Sequence, residues 1–273
     1  MRKGPAFIGI GASFAGLTQV TTWLAEHDEN VDVIPSGNFF NTEAFTKKGL
    51  DWYEERICPS QGKSGLLCGD VSPGCLINAQ VPKRLATSYS ETKLFVIVRH
   101  PLKRALAAYV AHRDIDARAK NQSAATYLAE EVSLQTESYY ADHLAHFSEY
   151  YAPVNLHIIA YEDLVADPLK VMSELYEYLE VTKTVIPKSL RHLAPPPEPP
   201  KNPGLIKRSI IRIKTAVKKF RERPIGPLFP PEPAIETLLS AEEQALFVAS
   251  MRPSADRLSH IMGRDMVAFW NLE

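Results

Sequence analysis

The stretch that decides the fold is Pro5-Ala-Phe-Ile-Gly-Ile-Gly-Ala-Ser-Phe-Ala-Gly-Leu-Thr-Gln-Val-Thr-Thr-Trp-Leu-Ala-Glu26. Its apolar residues 6–10 predict a buried strand, and Gly11 to Gly16 predict a loop. A helix then follows, because apolar side chains recur at helical spacing at Leu17, Val20, Trp23 and Leu24. In a strand–loop–helix arrangement, free backbone N–H groups and the helix dipole face an anion. The stretch predicts either a phosphate-binding loop or a turn whose glycines only allow close packing.

The spacing Gly11-x-x-x-x-Gly16 followed by Thr18 has the outline of a P-loop, with the Thr18 hydroxyl as a donor. Leu17 stands where a nucleoside triphosphatase needs lysine, which disfavours an ordinary ATPase, GTPase or Walker-type kinase. A signal peptide is a further alternative, because Arg2-Lys3 precede the apolar run. Against it, polar residues 18–19 interrupt the run and no small-x-small cleavage site follows.

The composition excludes several classes of protein. The chain has 273 residues, 45% of them hydrophobic, enough for one large domain or a domain with appendages. A net charge of −1 provides no overall attraction to nucleic acid. The cysteines Cys58, Cys68 and Cys75 lack zinc-site spacing, and such low usage fits a reducing compartment. No apolar segment reaches the roughly 18 residues that span a bilayer. We expect a cytoplasmic protein without a metal ion.

A second strong signal lies in the middle of the chain. The β-branched, apolar run Lys93-Leu-Phe-Val-Ile-Val98 predicts a strand covered on both faces. Pro101 keeps His100 out of helical geometry, so a helix begins at about Leu102. Arg99 is thus placed at the carboxyl end of a central strand, where its planar guanidinium suits a phosphate. Arg104 either supports Arg99 or is a solvated helix charge.

The other segments are interpreted as follows. Residues 31–34 and 156–160 predict strands, whereas residues 68–84 predict a loop followed by a short helix. Gly49 opens a short amphipathic helix, and Asp167-Pro168 begin one that runs to about Leu179. His143 and His146 have metal-compatible spacing on a helix, but without a third ligand a surface or capping role is favoured.

The C-terminal part of the chain predicts appendages to the core. Residues 194–203 are a proline-rich linker. The stretch 207–223 carries eight basic residues; it either packs with a basic outer side or meets a membrane or an acidic partner. Helices are predicted at 240–247 and 254–261, and the terminal Trp270 docks into the core. The predicted division is a core at 1–193, the linker, and a helical extension at 204–273 packing on the core.

Several separated segments share one pattern. Gly11 to Thr18 resembles a 5′-phosphosulfate loop of the form G-x-x-K-S/G-G-T-T, and Lys93 to Tyr109 resembles a 3′-phosphate motif, K-x-x-x-x-x-R-D-P-x-x-R-A-x-S-x-Y. Residues 69–73 resemble G-E-K-S-P, residues 157–164 a strand ending in Y-E-D-L, and residues 262–270 a terminal L-G-R-D-L-x-x-W. The chain therefore resembles the sulfotransferases that use 3′-phosphoadenosine-5′-phosphosulfate (PAPS), in their bacterial and carbohydrate-acting branch.

The resemblance implies a P-loop-like α/β fold of three layers, with a central parallel sheet flanked by helices. It also implies a donor site for PAPS, or for its product 3′-phosphoadenosine-5′-phosphate (PAP), and a hydroxyl-bearing acceptor, of which a carbohydrate is favoured. The loop would hold the 5′ end and Arg99 the 3′-phosphate. The implied donor-binding residues are Gly11, Ala12, Ser13, Phe14, Ala15, Gly16, Leu17, Thr18, Arg99 and Ala107.

Reactive positions depart from the family pattern. The two family lysines align with Phe14 and Val71, the first loop threonine with Leu17, and the 3′-phosphate serine with Ala107. Ser36-Gly-Asn38 replaces a carboxylate base, which leaves Glu43 and His100 as candidate bases. Losing one electrostatic donor costs about 10²–10³ in rate. Substitute cations could come from Lys47, Lys48, Lys63, Arg104 or Arg113.

Two hypotheses follow from these departures. The first is an enzyme that transfers a sulfuryl group from PAPS to a hydroxyl by means of a rearranged set of cations. The second is a catalytically inactive relative that binds a nucleotide, an anionic glycan or a protein partner, with residues 207–223 as its interaction surface.

Overall fold

The computed structural model describes residues 4–27, 31–34, 38–57, 67–182, 185–193 and 228–272. Within these ranges one parallel sheet is formed by five strands: β1 (Phe7–Gly11), β2 (Val31–Ile34), β3 (Leu67–Val71), β4 (Lys93–Val98) and β5 (Leu156–Ala160). Their spatial order is β2-β3-β1-β4-β5. The first strand is therefore the central one, and the carboxyl ends of β1 and β4 lie side by side.

Helices connect the strands and cover the sheet. In the described part of the chain they are α1 (Leu17–Ala25), α2 (Ala44–Ile57), α3 (Val81–Ser88), α4 (Pro101–His112), α5 (Ala117–Asn121), α6 (Ala124–Glu130), α7 (Val132–Thr136), α8 (Tyr140–Ser148), α9 (Tyr161–Ala166), α10 (Pro168–Tyr178), α11 (Ile235–Leu238), α12 (Ala241–Met262) and α13 (Met266–Phe269). The predicted fold class, α/β with a central parallel sheet flanked by helices, is confirmed.

The central strands are buried as their sequences predict. Every residue of β1 is buried, and so are the five residues of β4 that follow Lys93. The four apolar residues predicted to face the core from α1 are all buried. Asp167 caps α10, since its side chain accepts the Lys170 N–H at 3.0 Å. The two predicted strands β2 and β5 have the predicted bounds.

The strand β3 corrects the prediction of a loop at its position. Gly69 and Asp70 have low strand propensity, so the segment carries no strand signal. A Cβ added at Gly69 would lie 2.0 Å from the Phe7 ring, so the neighbouring strand needs glycine here. Asp70 is fully buried and accepts hydrogen bonds from the hydroxyls of Tyr53 and Ser72, each at 3.0 Å. Tertiary packing and this local network override the propensity.

Two helices also differ from their predicted bounds. α2 begins before Gly49, and this glycine interrupts it with φ 77° and ψ 172°. The two helices predicted at 240–247 and 254–261 are one helix, α12, which continues through Pro253. A proline removes only one backbone donor, and packing of α12 against α4 and α8 maintains the helix on both sides.

The end of the chain lies against the main core. Trp270 and Leu272 are both buried and belong to the same apolar cluster as β1 and β4. The linker at 194–203 and the basic stretch at 207–223 lie outside the described residues, so the division into three parts stays a prediction. Among the described helices, none combines the length and the apolar character needed to cross a bilayer.

The two cysteines that the structure describes are in different states. Cys75 is free and buried, and burial together with nearby Asp70 raises the pKa of its thiol. Cys68 is disulfide-bonded. That state differs from the expectation of reduced thiols drawn from low cysteine usage, and a cytoplasmic location stays a prediction.

Candidate functional site

The loop from Gly11 to Gly16 joins β1 to α1 and requires unusual backbone geometry. Gly16 adopts φ 87°, and a Cβ there would lie 3.0 Å from the ring of Tyr161. Phe14 also has positive φ, at 61°. At the other end of the loop, a Cβ on Gly11 would lie 2.8 Å from the Leu76 side chain. The glycines therefore serve both the turn and close packing, and the two predicted roles of this loop are compatible.

The loop presents unpaired backbone donors at the amino terminus of α1. Residues 13–16 form a turn, and within the described ranges no well-formed hydrogen bond engages the N–H groups of residues 14–18. The Ser13 N–H differs, because it donates to Glu137 Oε1 at 2.7 Å. Free N–H groups at a helix amino terminus favour a bound anion. One donor of the loop is thus taken by a carboxylate of the protein.

Arg99 lies at the carboxyl end of β4, directly beside this loop. Its Nη1 donates to the carbonyl oxygen of Phe14 at 2.6 Å, and its guanidinium lies 4.4 Å from the centre of the Tyr161 ring. Nη2 pairs with Glu232 Oε2 at 2.8 Å. The side chain is only 3% exposed, and Nε is buried without a partner in the described part of the chain. The structure therefore brings Arg99 and the loop together, with one donor of the guanidinium left unfilled.

The positions that align with the family's lysines offer no charge. The Phe14 side chain is 38% exposed and meets the His112 ring edge-on, with centroids 6.3 Å apart. Val71 is buried at the end of β3. Ala107 lies half-buried on α4, and Thr18 is exposed in the first turn of α1.

The proposed substitute cations are engaged elsewhere. Lys47 pairs with Glu43, and Lys48 lies 4.1 Å from the centre of the Trp52 ring. Arg113 helps to line a separate hollow of about 470 Å³ at the junction of α4 and α5. Lys63 lies outside the described residues. Within the described residues, no hydrogen bond or ion pair joins Lys47, Lys48 or Arg113 to the loop.

Arg104 is a buried structural cation, so its interpretation as a solvated helix charge is wrong. It is fully buried and pairs with Glu137 Oε2 at 3.0 Å, while Nε donates to the Ser138 hydroxyl at 2.7 Å. It also donates to the carbonyl oxygen of Leu134. Since the other oxygen of Glu137 holds the Ser13 N–H, this pair connects α4 to the loop.

The two candidate bases have different surroundings. Glu43 is 79% exposed and forms an ion pair with Lys47. His100 follows Arg99, and its backbone N–H donates to Glu162 Oε1 at 2.8 Å. Burial, reinforced by Lys103, lowers the pKa of His100 to about 4. The imidazole is therefore neutral near pH 7, which makes it a weak proton acceptor.

Asn38 and Asn41 connect the segment after β2 to the segment after β3. Asn38 Oδ1 accepts the Gly74 N–H at 2.8 Å, and Asn41 Oδ1 accepts from the Asn78 amide at 2.7 Å. Gly74 and Asn78 follow β3, whose next residue, Ser72, donates its N–H to Gly9 of β1. The two amides thus fix the loops around the anion site.

Sequence reasoning missed the carboxylates that complete this site. Glu137 and Glu232 lie 124 and 133 residues from the groups they bind. No local spacing could reveal such pairs. Glu162 belongs to the Y-E-D-L segment, but the sequence does not predict what it binds. Its carboxylate accepts hydrogen bonds from the His100 backbone N–H and from the Trp270 indole N–H, the latter at 3.1 Å. Among the described residues, no His, Cys, Asp and Glu group could hold a metal ion.

Comparison with known proteins identifies the family. A sequence model described as a sulfotransferase domain matches residues 17–194. A bifunctional heparan sulfate N-deacetylase/N-sulfotransferase of Drosophila melanogaster is 28% identical in an alignment of 205 residues that covers 65% of this chain and 20% of that protein. Heparan sulfate glucosamine 3-O-sulfotransferase 5 of Mus musculus is 25% identical in an alignment of 190 residues that covers 65% of this chain and 54% of that protein.

The fold has a solved counterpart along the whole chain. The crystal structure of a sulfotransferase from Alicyclobacillus acidocaldarius superposes with a TM-score of 0.70 at 15% identity and covers 99% of this chain and 100% of that chain. This likeness concerns the fold alone. The chain spans about half or less of the length of the two curated relatives described above. Since the sulfotransferase domain model matches well over half of its residues, the chain belongs to the sulfotransferase family.

Proposed function

We propose that this protein binds PAPS between the loop at residues 11–18 and Arg99, and transfers its sulfuryl group to a carbohydrate hydroxyl. The observation that carries the proposal is the 2.6 Å contact between Arg99 Nη1 and the Phe14 carbonyl oxygen. It puts a buried guanidinium next to the unpaired N–H groups of an anion loop. Members of the sulfotransferase family generally use PAPS as the sulfate donor.

Each end of the donor would meet chemistry suited to it. The unpaired N–H groups of residues 14–18 would receive the oxygens of the 5′-phosphosulfate. Arg99 would receive the 3′-phosphate, because its buried Nε has no acceptor among the described residues and a planar guanidinium forms paired bonds to phosphate. A buried polar group without a partner is costly, so a ligand oxygen there would be stabilising.

The acceptor class is proposed from the relatives. Proteins named heparan sulfate sulfotransferases are similar to 65% of this chain. A hydroxyl of a carbohydrate is therefore the acceptor we propose.

A second candidate is binding without turnover. It is favoured by Phe14 and Val71 at the lysine positions, and by the pairing of Lys47 with Glu43 and of Arg104 with Glu137. Sulfuryl transfer depends mainly on positioning and on stabilising charge at the leaving phosphate. A site without those cations would hold PAP or PAPS and react slowly.

Calorimetric titration with PAP tests the shared part of both candidates. We expect saturable binding by the wild type and a loss of at least about tenfold in affinity for Arg99→Ala. Arg257→Ala is the matched control, because Arg257 forms an exposed ion pair with Asp142 far from the loop in sequence. A wild type that releases no heat and shows no thermal stabilisation with PAP would contradict donor binding.

Transfer of label from ³⁵S-PAPS to a panel of unsulfated glycans separates the two candidates. Labelled glycan supports the enzyme. PAP binding without labelled product supports the inactive relative, and a gain of transfer in Phe14→Lys would show that a missing charge was the cause.

A further inference from the structure

A short segment covers Arg99 from outside the sheet. Residues 228–234, here called the strap, precede α11. The Phe229 ring meets the rings of Trp23 and Tyr161 edge-on, with centroids 5.7 and 5.5 Å apart. Tyr161 is also the ring beneath the Arg99 guanidinium. The strap is thus anchored on the aromatic surface that supports the candidate phosphate ligand.

The strap places a carboxylate on that guanidinium. Glu232 Oε2 accepts from Arg99 Nη2 at 2.8 Å. A carboxylate and a phosphate oxygen satisfy a guanidinium in the same way, as charged acceptors in line with its N–H bonds. Glu232 therefore occupies a donor group of Arg99 that an incoming phosphate would use.

The two partners differ in how easily they can leave the pair. Arg99 is 3% exposed and also held by the Phe14 carbonyl, whereas Glu232 is 42% exposed. A carboxylate at the surface can rotate into water, while the buried guanidinium would lose its counter-charge if nothing replaced it. An anion with higher charge than a carboxylate would supply that replacement.

We propose that Glu232 sets the donor affinity of this protein, as an internal anion that the phosphate of the ligand must displace from Arg99. Phe229 keeps the strap in place, so displacement needs only a rotation of the Glu232 side chain. The inference rests on the proposed function for the identity of the displacing phosphate, and the pairing itself is independent of it.

The test compares Glu232→Gln with Glu236→Gln. Glu236 lies four residues further along, in α11, is exposed, and gives the same change in net charge. PAP and inorganic pyrophosphate are titrated against both variants and the wild type. We expect Glu232→Gln to bind PAP about tenfold more tightly than the wild type, and Glu236→Gln to match the wild type. In an Arg99→Ala background, Glu232→Gln should not increase the affinity for PAP.

The outcomes distinguish the two proposals. Equal or weaker PAP binding by Glu232→Gln, relative to Glu236→Gln, would overturn the competition. If PAP binds to no variant but pyrophosphate binds Glu232→Gln more tightly than Glu236→Gln, the competition holds and the donor assignment fails. If neither anion distinguishes the two variants, Glu232 is only a surface partner of Arg99 and the inference is rejected.

Discussion

Single residues at the anion loop combine a structural and an electrostatic role. Glu137 holds the Ser13 N–H with one oxygen and the fully buried Arg104 with the other. Breaking such a pair leaves an uncompensated charge in the interior, and the cost is then the desolvation of that charge. The conformation of the loop is therefore stabilised by Glu137, a residue that lies on neither β1 nor α1.

We predict that Glu137→Gln lowers the free energy of unfolding by about 3–5 kcal/mol, because Arg104 loses its buried counter-charge. The double variant Arg104→Met/Glu137→Gln should recover part of that loss, since the glutamine oxygen can still accept the Ser13 N–H. Urea denaturation measures both. Glu131→Gln is the control: its pair with Arg118 is exposed and should contribute less than about 1 kcal/mol. A larger loss in the double variant than in the single one would contradict this account.

His100 gives a prediction about pH. Its pKa is lowered from 6.5 to about 4 in the folded protein, first by burial. Between these values the unfolded chain binds the proton more readily, so this contribution to stability is lost as pH falls from 6.5 towards 4. We predict that His100→Gln loses on the order of 2 kcal/mol less stability over that interval than the wild type.

Urea denaturation at pH 7, 6, 5 and 4 measures that difference. His146→Gln is the control, because His146 lies on the surface with 47% of its side chain exposed. Parallel pH profiles for the wild type and His100→Gln would show that His100 carries no such linkage.

At the scale of elements, strands with continuous apolar runs were predictable, whereas a strand that contains glycine and aspartate was not. The bounds of β4 follow from its sequence, since burial on both faces selects such runs. β5 also has its predicted bounds, although it is an edge strand and only partly buried. β3 was missed because Gly69 and Asp70 have low strand propensity, and their roles depend on residues outside the strand. Gly69 leaves space for the Phe7 ring, and Asp70 accepts hydrogen bonds from the Tyr53 and Ser72 hydroxyls. α12 was divided in two because Pro253 is a local signal that tertiary contacts override.

The packing of β3 against β1 predicts that substitutions at Gly69 and Phe7 affect stability non-additively. Gly69→Ala should destabilise the protein by about 1–3 kcal/mol, because the new methyl overlaps the Phe7 ring. Phe7→Leu removes that overlap, so the double variant should be less destabilised than the sum of the two single variants. Thermal unfolding of the four proteins measures the interaction. Additive losses would show that the Phe7 ring is not the obstacle.

At the scale of the molecule, sheet order determines the site. Because β1 and β4 are neighbours, their carboxyl ends bring Arg99 beside the loop, and both groups were predictable from motifs at strand ends. The carboxylates at 137 and 232 were not predictable, since each reaches the site from an element distant in sequence. Local sequence patterns predicted the loop and Arg99 at the strand ends, whereas the carboxylates that bind them are revealed only by the tertiary structure.

The carboxyl-terminal end of the described chain closes the same region. Trp270 is 2% exposed, and its indole donates to Glu162, which also holds the His100 N–H. We predict that Trp270→Ala lowers the unfolding free energy by about 3–5 kcal/mol. Trp270→Phe should cost about 1–2 kcal/mol, since the ring remains and the Glu162 hydrogen bond is lost.

Urea denaturation with Leu246→Ala as control tests this prediction, because Leu246 is 74% exposed. If Trp270→Ala were as mild as that surface variant, the end of the chain would contribute little to the core.

The central position of the first strand has a consequence for synthesis on the ribosome. β1 is apolar and buried along its whole length, yet both of its partners, β3 and β4, are translated later. About 55 residues separate the end of β1 from β3, the first partner to follow, which at roughly 5–20 residues per second takes on the order of 3–11 s. For those seconds the nascent chain carries an unpaired hydrophobic strand, a natural binding segment for a chaperone at the ribosomal exit tunnel.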